Sequence, residues 1–274
     1  KIQIQEVYDN RDRGFIPGYA RTISEYKAAA GAAREALDRG LKPVVLMDGS
    51  LYMGRFPYAP REYHHHPSLI IELLDSVADL RTLARNHNFP LVGISKDSSV
   101  FYFHMELLKV ALFRAGHPRI RMLVGDASSP FDLRLKLGIL EEQDRVALES
   151  FLDRRPLCDS ALVHLCTKSQ GYTHPLLIAP SLYRSGSEGG ALYKRLELNL
   201  PQETADAVIT SLRRFLSSPP VAVFYWKPAP NSRPFRVDVS GHSLGRSKPL
   251  IPSEGNYLLE TPDHRSMKGV INHL

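Results

Sequence analysis

The chain has 274 residues, of which 35 are Lys or Arg and 29 are Asp or Glu, so its formal net charge is +6 with histidines neutral. Hydrophobic residues make up 43% and charged residues 23%, as in folded globular proteins, which excludes a disordered chain. No apolar run approaches the roughly 18 residues that a membrane-spanning helix needs, which argues against a membrane protein. The basic excess favours an anionic partner such as nucleic acid, and it is equally compatible with a solvated basic surface.

The cysteines and the overall organisation give two further expectations. Cys158 and Cys166 are too few for a disulfide framework or a cysteine-rich zinc site. No secretory signal opens the sequence, so we expect a cytoplasmic protein. The sequence has no internal repeat and no linker long enough to separate two units, so we expect a single domain over residues 1–274.

The first part of the chain predicts a hairpin, a helix and a strand in that order. Residues 2–8 alternate apolar and polar side chains, and with residues 15–21 they predict a β-hairpin. The Ala-rich segment from Thr22 or Ser24 to about Arg39, with Ser24 as an N-cap and Gly40 as the stop, predicts a helix. The apolar run over residues 43–48 predicts a strand that is buried on both faces.

The rest of the chain alternates predicted helices and strands. Leucines at helical spacing predict a helix over residues 68–86, followed by a short buried strand over residues 91–95. Two further strands are predicted around the turn-rich sequence PAPNSRP. This alternation predicts an α/β fold with a mixed sheet flanked by helices. The further predicted segments are helices over residues 101–115 and 139–154 and strands over residues 221–226 and 235–239.

Two carboxylates are candidates for a metal site. Asp48 ends a predicted buried strand, where α/β sheets place functional groups, although it is also compatible with a turn residue or a helix N-cap. A 15-residue helix rises about 21 Å and a six-residue strand about 17–20 Å, so antiparallel packing places Glu25 beside Asp48. Glu35 would then lie roughly 15 Å away. Such a pair favours Mg²⁺ or Mn²⁺, unless Glu25 only complements the positive end of its helix.

Basic and aromatic residues at the predicted strand ends suggest contacts with nucleic acid. Lys96 follows the second buried strand, where it would act as a point charge on phosphate or simply be exposed. The sequence FYWKPAPNSRPFRVDV interleaves aromatic and basic side chains, a pattern that suits base stacking with phosphate contact, or a hairpin with core aromatics. His264 is a weaker candidate for a metal ligand or proton donor. The residues of the hairpin in question are Tyr225, Trp226, Lys227, Arg233 and Arg236.

Other catalytic patterns are absent from the sequence. It contains no GxxxxGK[ST] phosphate loop, no HExxH and no GxGxxG after a predicted strand. This argues against ATP hydrolysis and dehydrogenase chemistry.

The combination of motifs resembles the NurA nuclease family. LMDGSL after an Ala/Glu-rich helix, GISKDSS further along, FYWK…PFRVDV and the closing NYLLETPDHRSMK carry the resemblance. It implies an RNase H-like core and Mn²⁺-dependent cleavage of single- and double-stranded DNA, with Mg²⁺ as a possible substitute. The implied activities are 5′→3′ exonuclease and single-strand endonuclease. The implied context is a homodimer on the hexameric HerA ATPase, resecting ends in double-strand-break repair.

The resemblance also implies roles for individual residues. It assigns the family's second aspartate to Asp48 and its helix glutamate to Glu25, with a register nearer Glu35 left open. The family's lysine and tyrosine fall on Lys96 and Tyr225, which would position the phosphate and the attacking water, and its histidine falls on His264. The family's first aspartate has no clear counterpart, so we expect it either upstream of residue 1 or, less favoured, at Asp9.

The resulting hypothesis is a DNA nuclease in which Asp48 and Glu25 bind metal, and His264 completes the metal site or protonates the leaving oxygen. Lys96, Trp226, Arg233 and Arg236 would contact DNA. The unassigned first aspartate favours an alternative, a catalytically weakened DNA-binding or assembly subunit of a HerA-type complex. A third interpretation, a small-molecule enzyme using Asp48 and Lys96, is disfavoured by the basic, aromatic hairpin.

Overall fold

The computed structural model describes residues 16–51, 66–96, 158–173, 175–178 and 190–245. Their helices and strands are, in chain order, α1 (Ile16–Asp38), β1 (Val45–Asp48), α2 (Pro67–Asn86), β2 (Leu91–Ser95), α3 (Asp159–Cys166), β3 (Gly171–Tyr172), β4 (Leu176–Ile178), α4 (Gly190–Asn199), α5 (Gln202–Leu216), β5 (Val221–Lys227), β6 (Phe235–Ser240) and a short 3₁₀ helix (Gly241–Leu244).

The strands of these residues form one mixed sheet in the order β1-β2-β6-β5, with β3 and β4 both paired to β5. β1 and β2 run parallel, with α2 in the connection between them. β6 is antiparallel to both of its neighbours, β2 and β5. The predicted α/β fold with a mixed sheet and flanking helices is confirmed, and the four predicted strands along this path are all present, with small differences at their ends. The expectation that β1 is buried on both faces is wrong, because Leu46 and Asp48, which share one of its faces, are exposed.

Each face of the sheet supports its own hydrophobic core. The face that carries Val45, Leu91 and Val223 packs against α1, α2 and α5, and we call it the helical face. The face that carries Val92 and Phe224 contributes to a second core, and we call it the opposite face. Side chains alternate between the two faces along every strand, so the register of the sheet decides on which face each residue lies.

Helix α1 begins earlier than the sequence predicted, and the predicted strand over residues 15–21 is wrong for the described residues 16–21. These residues form the first turns of α1. Pro17 fits there because N–H groups in the first turn of a helix have no acceptor within the helix, so the N–H that proline lacks is not needed. Ile16, Tyr19 and Ile23 are buried at helical spacing, so the apolar stripe that anchors the helix starts at its first residue.

Three predicted segments lie outside the described residues: the strand over residues 2–8 and the helices over residues 101–115 and 139–154. Among the helices that the structure describes, none combines the length and the apolar character that crossing a membrane requires.

A buried histidine joins the end of β6 to the start of β2. The Nε2–H of His242 donates to the carbonyl of Phe89 at 2.9 Å, because a carbonyl oxygen only accepts. The other ring nitrogen, Nδ1, then accepts from the Ser240 hydroxyl at 2.9 Å. Burial lowers the pKa of His242 below 6.5; the bond to Phe89 opposes this shift, and the nearby Arg85 guanidinium adds to it.

We expect His242 to make the protein less stable in mild acid. The unfolded chain binds a proton at His242 at higher pH than the folded chain does, so the free energy of unfolding falls as the pH drops below about 6.5. Urea denaturation at pH 7.5 and pH 5.5 measures this loss. The loss should be smaller in His242→Asn than in the unmodified protein, and unchanged in His87→Asn, whose side chain is exposed. Equal losses in all three proteins would contradict the assignment.

Candidate functional site

Four of the residues predicted to act together lie at one end of the sheet. Asp48 ends β1 and pairs with Ile94 of the parallel strand β2, and Lys96 follows directly after β2. Tyr225 of β5 pairs with Arg236 of β6, so the end of β5 and the start of β6 reach the same end of the sheet. The residues concerned are Asp48, Lys96, Trp226 and Arg233, and we call this region the Asp48 end.

The carboxylate of Asp48 is exposed on the opposite face. Asp48 shares this face with Leu46, whose side chain is 56% exposed. The chain turns away immediately afterwards at Gly49, whose φ of 123° favours glycine. The Gly49 N–H continues the pairing with β2 by donating to the Ile94 carbonyl at 2.8 Å. No group among the described residues hydrogen-bonds the Asp48 carboxylate, which therefore is available to a ligand.

A buried ion pair on β6 holds the loop of residues 49–51. The Ser50 hydroxyl donates to Asp238 Oδ2 at 2.5 Å and accepts from Arg236 Nη2 at 3.1 Å. Arg236 also donates to both carboxylate oxygens of Asp238, through Nε at 2.7 Å and Nη2 at 3.0 Å. Both side chains are buried, at 3% and 1% exposure. Two charges tolerate such burial only when each is paired and hydrogen-bonded, and this cluster meets that condition.

A second set of contacts holds the same loop at Leu51. Its carbonyl accepts from the Arg81 guanidinium and, at 3.5 Å, from the hydroxyl of Tyr26 on α1. Arg81 is itself buried, donates to Ser218 at 3.3 Å and lies over the Phe215 ring. Burial raises the pKa of the Tyr26 phenol, with Arg81 opposing the shift. The phenol therefore keeps the proton that it donates.

The loop crosses β2 at a position where only glycine fits. A Cβ at Gly93 would lie 2.5 Å from the Gly49 carbonyl oxygen and 2.9 Å from the Leu51 backbone nitrogen. Both neighbours are backbone atoms of the anchored loop, so neither moves easily. Gly93 therefore sets how closely the loop after Asp48 approaches the sheet.

The middle of helix α1 lies near the Asp48 end, but on the other face of the sheet from Asp48. The bond from Tyr26 to Leu51 places this part of α1 beside the loop, as the length argument predicted. However, α1 packs on the helical face, with Val45 and Met47, whereas Asp48 belongs to the opposite face. Glu25 is exposed and pairs with Arg21 at 3.5 Å. Its role beside Asp48 stays a prediction, as does the choice between Glu25 and Glu35.

The predicted direct contacts of Tyr225 and Arg236 with DNA are not supported by their positions. Both side chains lie on the helical face, whereas Asp48 lies on the opposite face. Tyr225 and Arg236 are paired with each other, and their neighbours Trp226 and Phe235 project from the opposite face. Tyr225 is 1% exposed and its hydroxyl donates to Asp159 Oδ2 at 3.2 Å. Arg236 is committed to Asp238 and Ser50. Contact with substrate would require opening these buried bonds.

The sequence analysis missed how the loop is held in place. Asp238 carried a usable signal. FRVDVS alternates apolar and polar residues, which places Arg236 and Asp238 on one face, and a carboxylate needs a partner when its strand is buried. Ser50 was noted only as part of the LMDGSL motif, and nothing in the local sequence marks Arg81 as the partner of the Leu51 carbonyl. Lys227 was also missed as a structural residue: it is buried and donates to the Thr167 carbonyl at 2.6 Å.

The described residues fit part of a metal site. Asp48 offers an unpartnered carboxylate oxygen, which is the donor that Mg²⁺ and Mn²⁺ prefer. Within the described ranges, no three Asp, Glu, His or Cys side chains come together. His264 and Asp9 lie outside those ranges. Asp48 is therefore a suitable ligand, but the described residues contain no group of three side chains that would complete a metal site.

We expect Gly93→Ala to destabilise the protein by about 1–3 kcal/mol, the usual cost of overpacking a filled site. Gly31→Ala is the matched control, because Gly31 lies on α1 with open space around its Cβ position. That exchange should stabilise the protein by up to about 1 kcal/mol through helix propensity. Urea denaturation followed by circular dichroism measures both changes. A neutral Gly93→Ala would show that the loop does not lie against β2.

We expect the two arginines of the hairpin to differ sharply when truncated. Arg236→Ala leaves Asp238 buried without its counter-charge and should lower the free energy of unfolding by about 3–5 kcal/mol. Arg233→Ala removes an exposed side chain and should change it by less than about 0.5 kcal/mol. Equal and small effects in denaturant titrations would return Arg236 to the surface.

Comparisons with known proteins identify the family. A family model described as the NurA domain matches residues 16–246, a span that contains Asp48, Lys96 and the β5–β6 hairpin. No curated protein and no solved structure matches the chain. Because the family match covers most of the sequence, the chain belongs to the NurA family, a family of nucleases associated with DNA end processing.

Proposed function

We propose that this protein is a metal-dependent DNA nuclease with an RNase H-like core, acting in end resection for double-strand-break repair. The proposed activities are 5′→3′ exonuclease and single-strand endonuclease. The observation that carries the proposal is the exposed, unpartnered carboxylate of Asp48 at the end of a parallel strand, in a chain of a nuclease family. Parallel strands present functional groups at this end.

The proposal assigns Asp48 to a Mn²⁺ or Mg²⁺ site. Its backbone is positioned by the pairing of β1 with β2 and by the anchored loop that follows. Glu25 and His264 are proposed as further ligands, on the strength of the family resemblance. When bound, such cations stabilise the attacking and leaving oxygens of a phosphodiester. The protein's own part is to hold the carboxylate and the DNA in fixed positions.

Exposed cations at the Asp48 end support a DNA substrate. Lys96 follows β2 and Arg233 lies in the loop before β6, and both side chains are exposed. Neither takes part in an ion pair with the described residues, so both are free to bind phosphate oxygens. We propose that these two residues hold the DNA backbone.

The proposed partners come from the family. They are a second copy of this chain and a HerA-type hexameric ATPase, with cytoplasmic localisation. Membership of the NurA family supports this assignment, but it does not identify which of the described residues would contact either partner.

A second candidate function is a DNA-binding or assembly subunit without cleavage activity. It is favoured by the finding that the described ranges bring no three metal-ligating side chains together. The two functions share a fold and a substrate, so only a cleavage assay separates them. The small-molecule enzyme considered above has no comparable support.

The test is digestion of end-labelled single-stranded and duplex DNA with Mn²⁺, with Mg²⁺ and with chelator. The unmodified protein should cut only with metal. Asp48→Asn should lose activity at least a hundredfold, since even changes outside the ligand shell cost about 10–100-fold at metal sites. Asp38→Asn, an exposed aspartate at the end of α1, is the matched control and should be fully active.

The same assay decides the helix glutamate. If Glu25 is a ligand, Glu25→Gln should be inactive and Glu35→Gln, which only breaks a surface pair with Arg39, should be active. The reverse result would move the ligand to Glu35. DNA binding without any metal-dependent cleavage by the unmodified, folded protein would favour the second candidate function, and full activity of Asp48→Asn would overturn the proposed site.

A further inference from the structure

Three aromatic side chains form a continuous row across the Asp48 end. Tyr172 of β3 pairs directly with Trp226 of β5, and Trp226 pairs directly with Phe235 of β6. Residues paired in this way project from the same face. Lys96 directly follows Ser95, the last residue paired between β2 and β6, and Phe235 directly precedes its partner Arg236. We call Tyr172, Trp226 and Phe235 the aromatic row.

The aromatic row lies on the same face as Asp48. Pairing across the strands connects Asp48 with Phe224, through Ile94 and Val237. Phe224 lies two residues before Trp226 on β5, so both project from the same face. Trp226 therefore projects from the face that carries the candidate metal ligand. With neighbouring strands about 4.8 Å apart, β5 lies about 14 Å across the sheet from β1. A ligand lying along the row would reach the Asp48 carboxylate without crossing the sheet.

Exposure changes abruptly at the row. The next positions inward, Phe224 and Val237, are 1% and 0% exposed, as core residues are. Tyr172 is 40% exposed, and Trp226 and Phe235 are half-buried. The row is therefore the place where the second core opens to solvent.

The rings of the row are held by one another and by the core. Trp226 and Phe235 have ring centroids 6.1 Å apart, and Tyr172 packs edge-on against Phe224 at 6.3 Å. Rings fixed in this way lose little conformational entropy when a flat ligand stacks on them. The arrangement is thus suited to stacking as well as to packing.

The charge around the row indicates which flat ligand it suits. The exposed cation Lys96 follows the end of β2, the strand beside Phe235, and the exposed Arg233 precedes Phe235 by two residues. Aromatic faces bordered by cations are the combination that binds single-stranded nucleic acid, since bases stack and phosphates pair with the charges. Bases within a duplex are already stacked on each other and cannot lie on the rings.

We propose that the aromatic row is a stacking platform for the bases of single-stranded DNA and that it leads the strand towards Asp48. The second half of this statement rests on the proposed nuclease function. The first half concerns binding alone and needs no cleavage. Tyr172 and Phe235 are assigned to the platform together with Trp226, while Lys96 and Arg233 hold the phosphates.

The protein carries its own probe for this proposal, because Trp226 is its only tryptophan. In chelator, so that no DNA is cut, tryptophan fluorescence is titrated with an oligothymidylate, with an abasic oligomer of the same length and with a blunt duplex. The oligothymidylate should quench Trp226 emission. The abasic oligomer, which keeps every phosphate, should bind at least about fivefold more weakly and quench little, because each stacked base contributes about 1–3 kcal/mol.

Variants of the most exposed ring complete the test. Tyr172→Leu should weaken binding of oligothymidylate about 5- to 150-fold, the equivalent of one stacked base, whereas Tyr172→Phe should restore it. Leu198→Ala, which removes an exposed apolar side chain on α4, is the control and should bind normally. If Tyr172→Leu fails to fold, the comparison of the abasic and thymidylate oligomers in the unmodified protein still decides.

Equal affinity for the two oligomers, or no change of Trp226 emission on binding, would overturn the platform. Emission that depends on protein concentration without DNA, and is insensitive to oligothymidylate, would assign the row to an interface between copies and would also overturn it. The proposed function is judged separately by cleavage. If Asp48→Asn is inactive but oligothymidylate still quenches its emission, the platform is supported independently of cleavage. If the protein cleaves DNA with Mn²⁺ but shows no quenching, the nuclease function is supported and the platform is wrong.

Discussion

The position of Asp48 depends on a buried ion pair two strands away. Removing Arg236 and Asp238 from water is unfavourable for each charge, and their mutual pairing offsets this only with further hydrogen bonds. Ser50 supplies one of them, and it lies 188 residues before Asp238 in the sequence. The loop after β1 therefore reaches its final conformation only when β6 has joined the sheet. A short motif near the start of the chain is completed by residues near its end.

The strands could be predicted from the sequence, but the faces of β5 could not. Apolar runs bounded by proline, glycine and polar turns identify strands whatever surrounds them. A strand buried on both faces shows no alternation of apolar and polar residues, so nothing distinguishes Tyr225 from Trp226 in advance. Only the register shows that Tyr225 lies on the helical face with Arg236, and that Trp226 lies on the opposite face with Phe235. The predicted DNA contacts divide along this line.

The length argument for Glu25 predicted which end of α1 lies near Asp48, but it did not predict the face of the sheet on which α1 packs. Matched lengths of helix and strand predicted which end of α1 lies beside the end of β1, and the bond from Tyr26 to Leu51 agrees. Length carries no information about the face on which a helix packs, and α1 packs on the face that Asp48 does not occupy. Glu25 and His264, the further ligands proposed for Asp48, lie far apart in the sequence, and contacts over such separations leave no local pattern to detect.

The same register sorts three cations that look alike in the sequence. Arg236 has a carboxylate on its own strand, two residues away, and its planar guanidinium makes two bonds to it inside the core. Lys96 and Arg233 have no such partner among the described residues and remain in solvent at the Asp48 end. Burial thus removes one positive charge from the surface and uses it to fix the loop. The two that remain exposed flank the aromatic row, where they are available to the phosphates of the proposed DNA ligand.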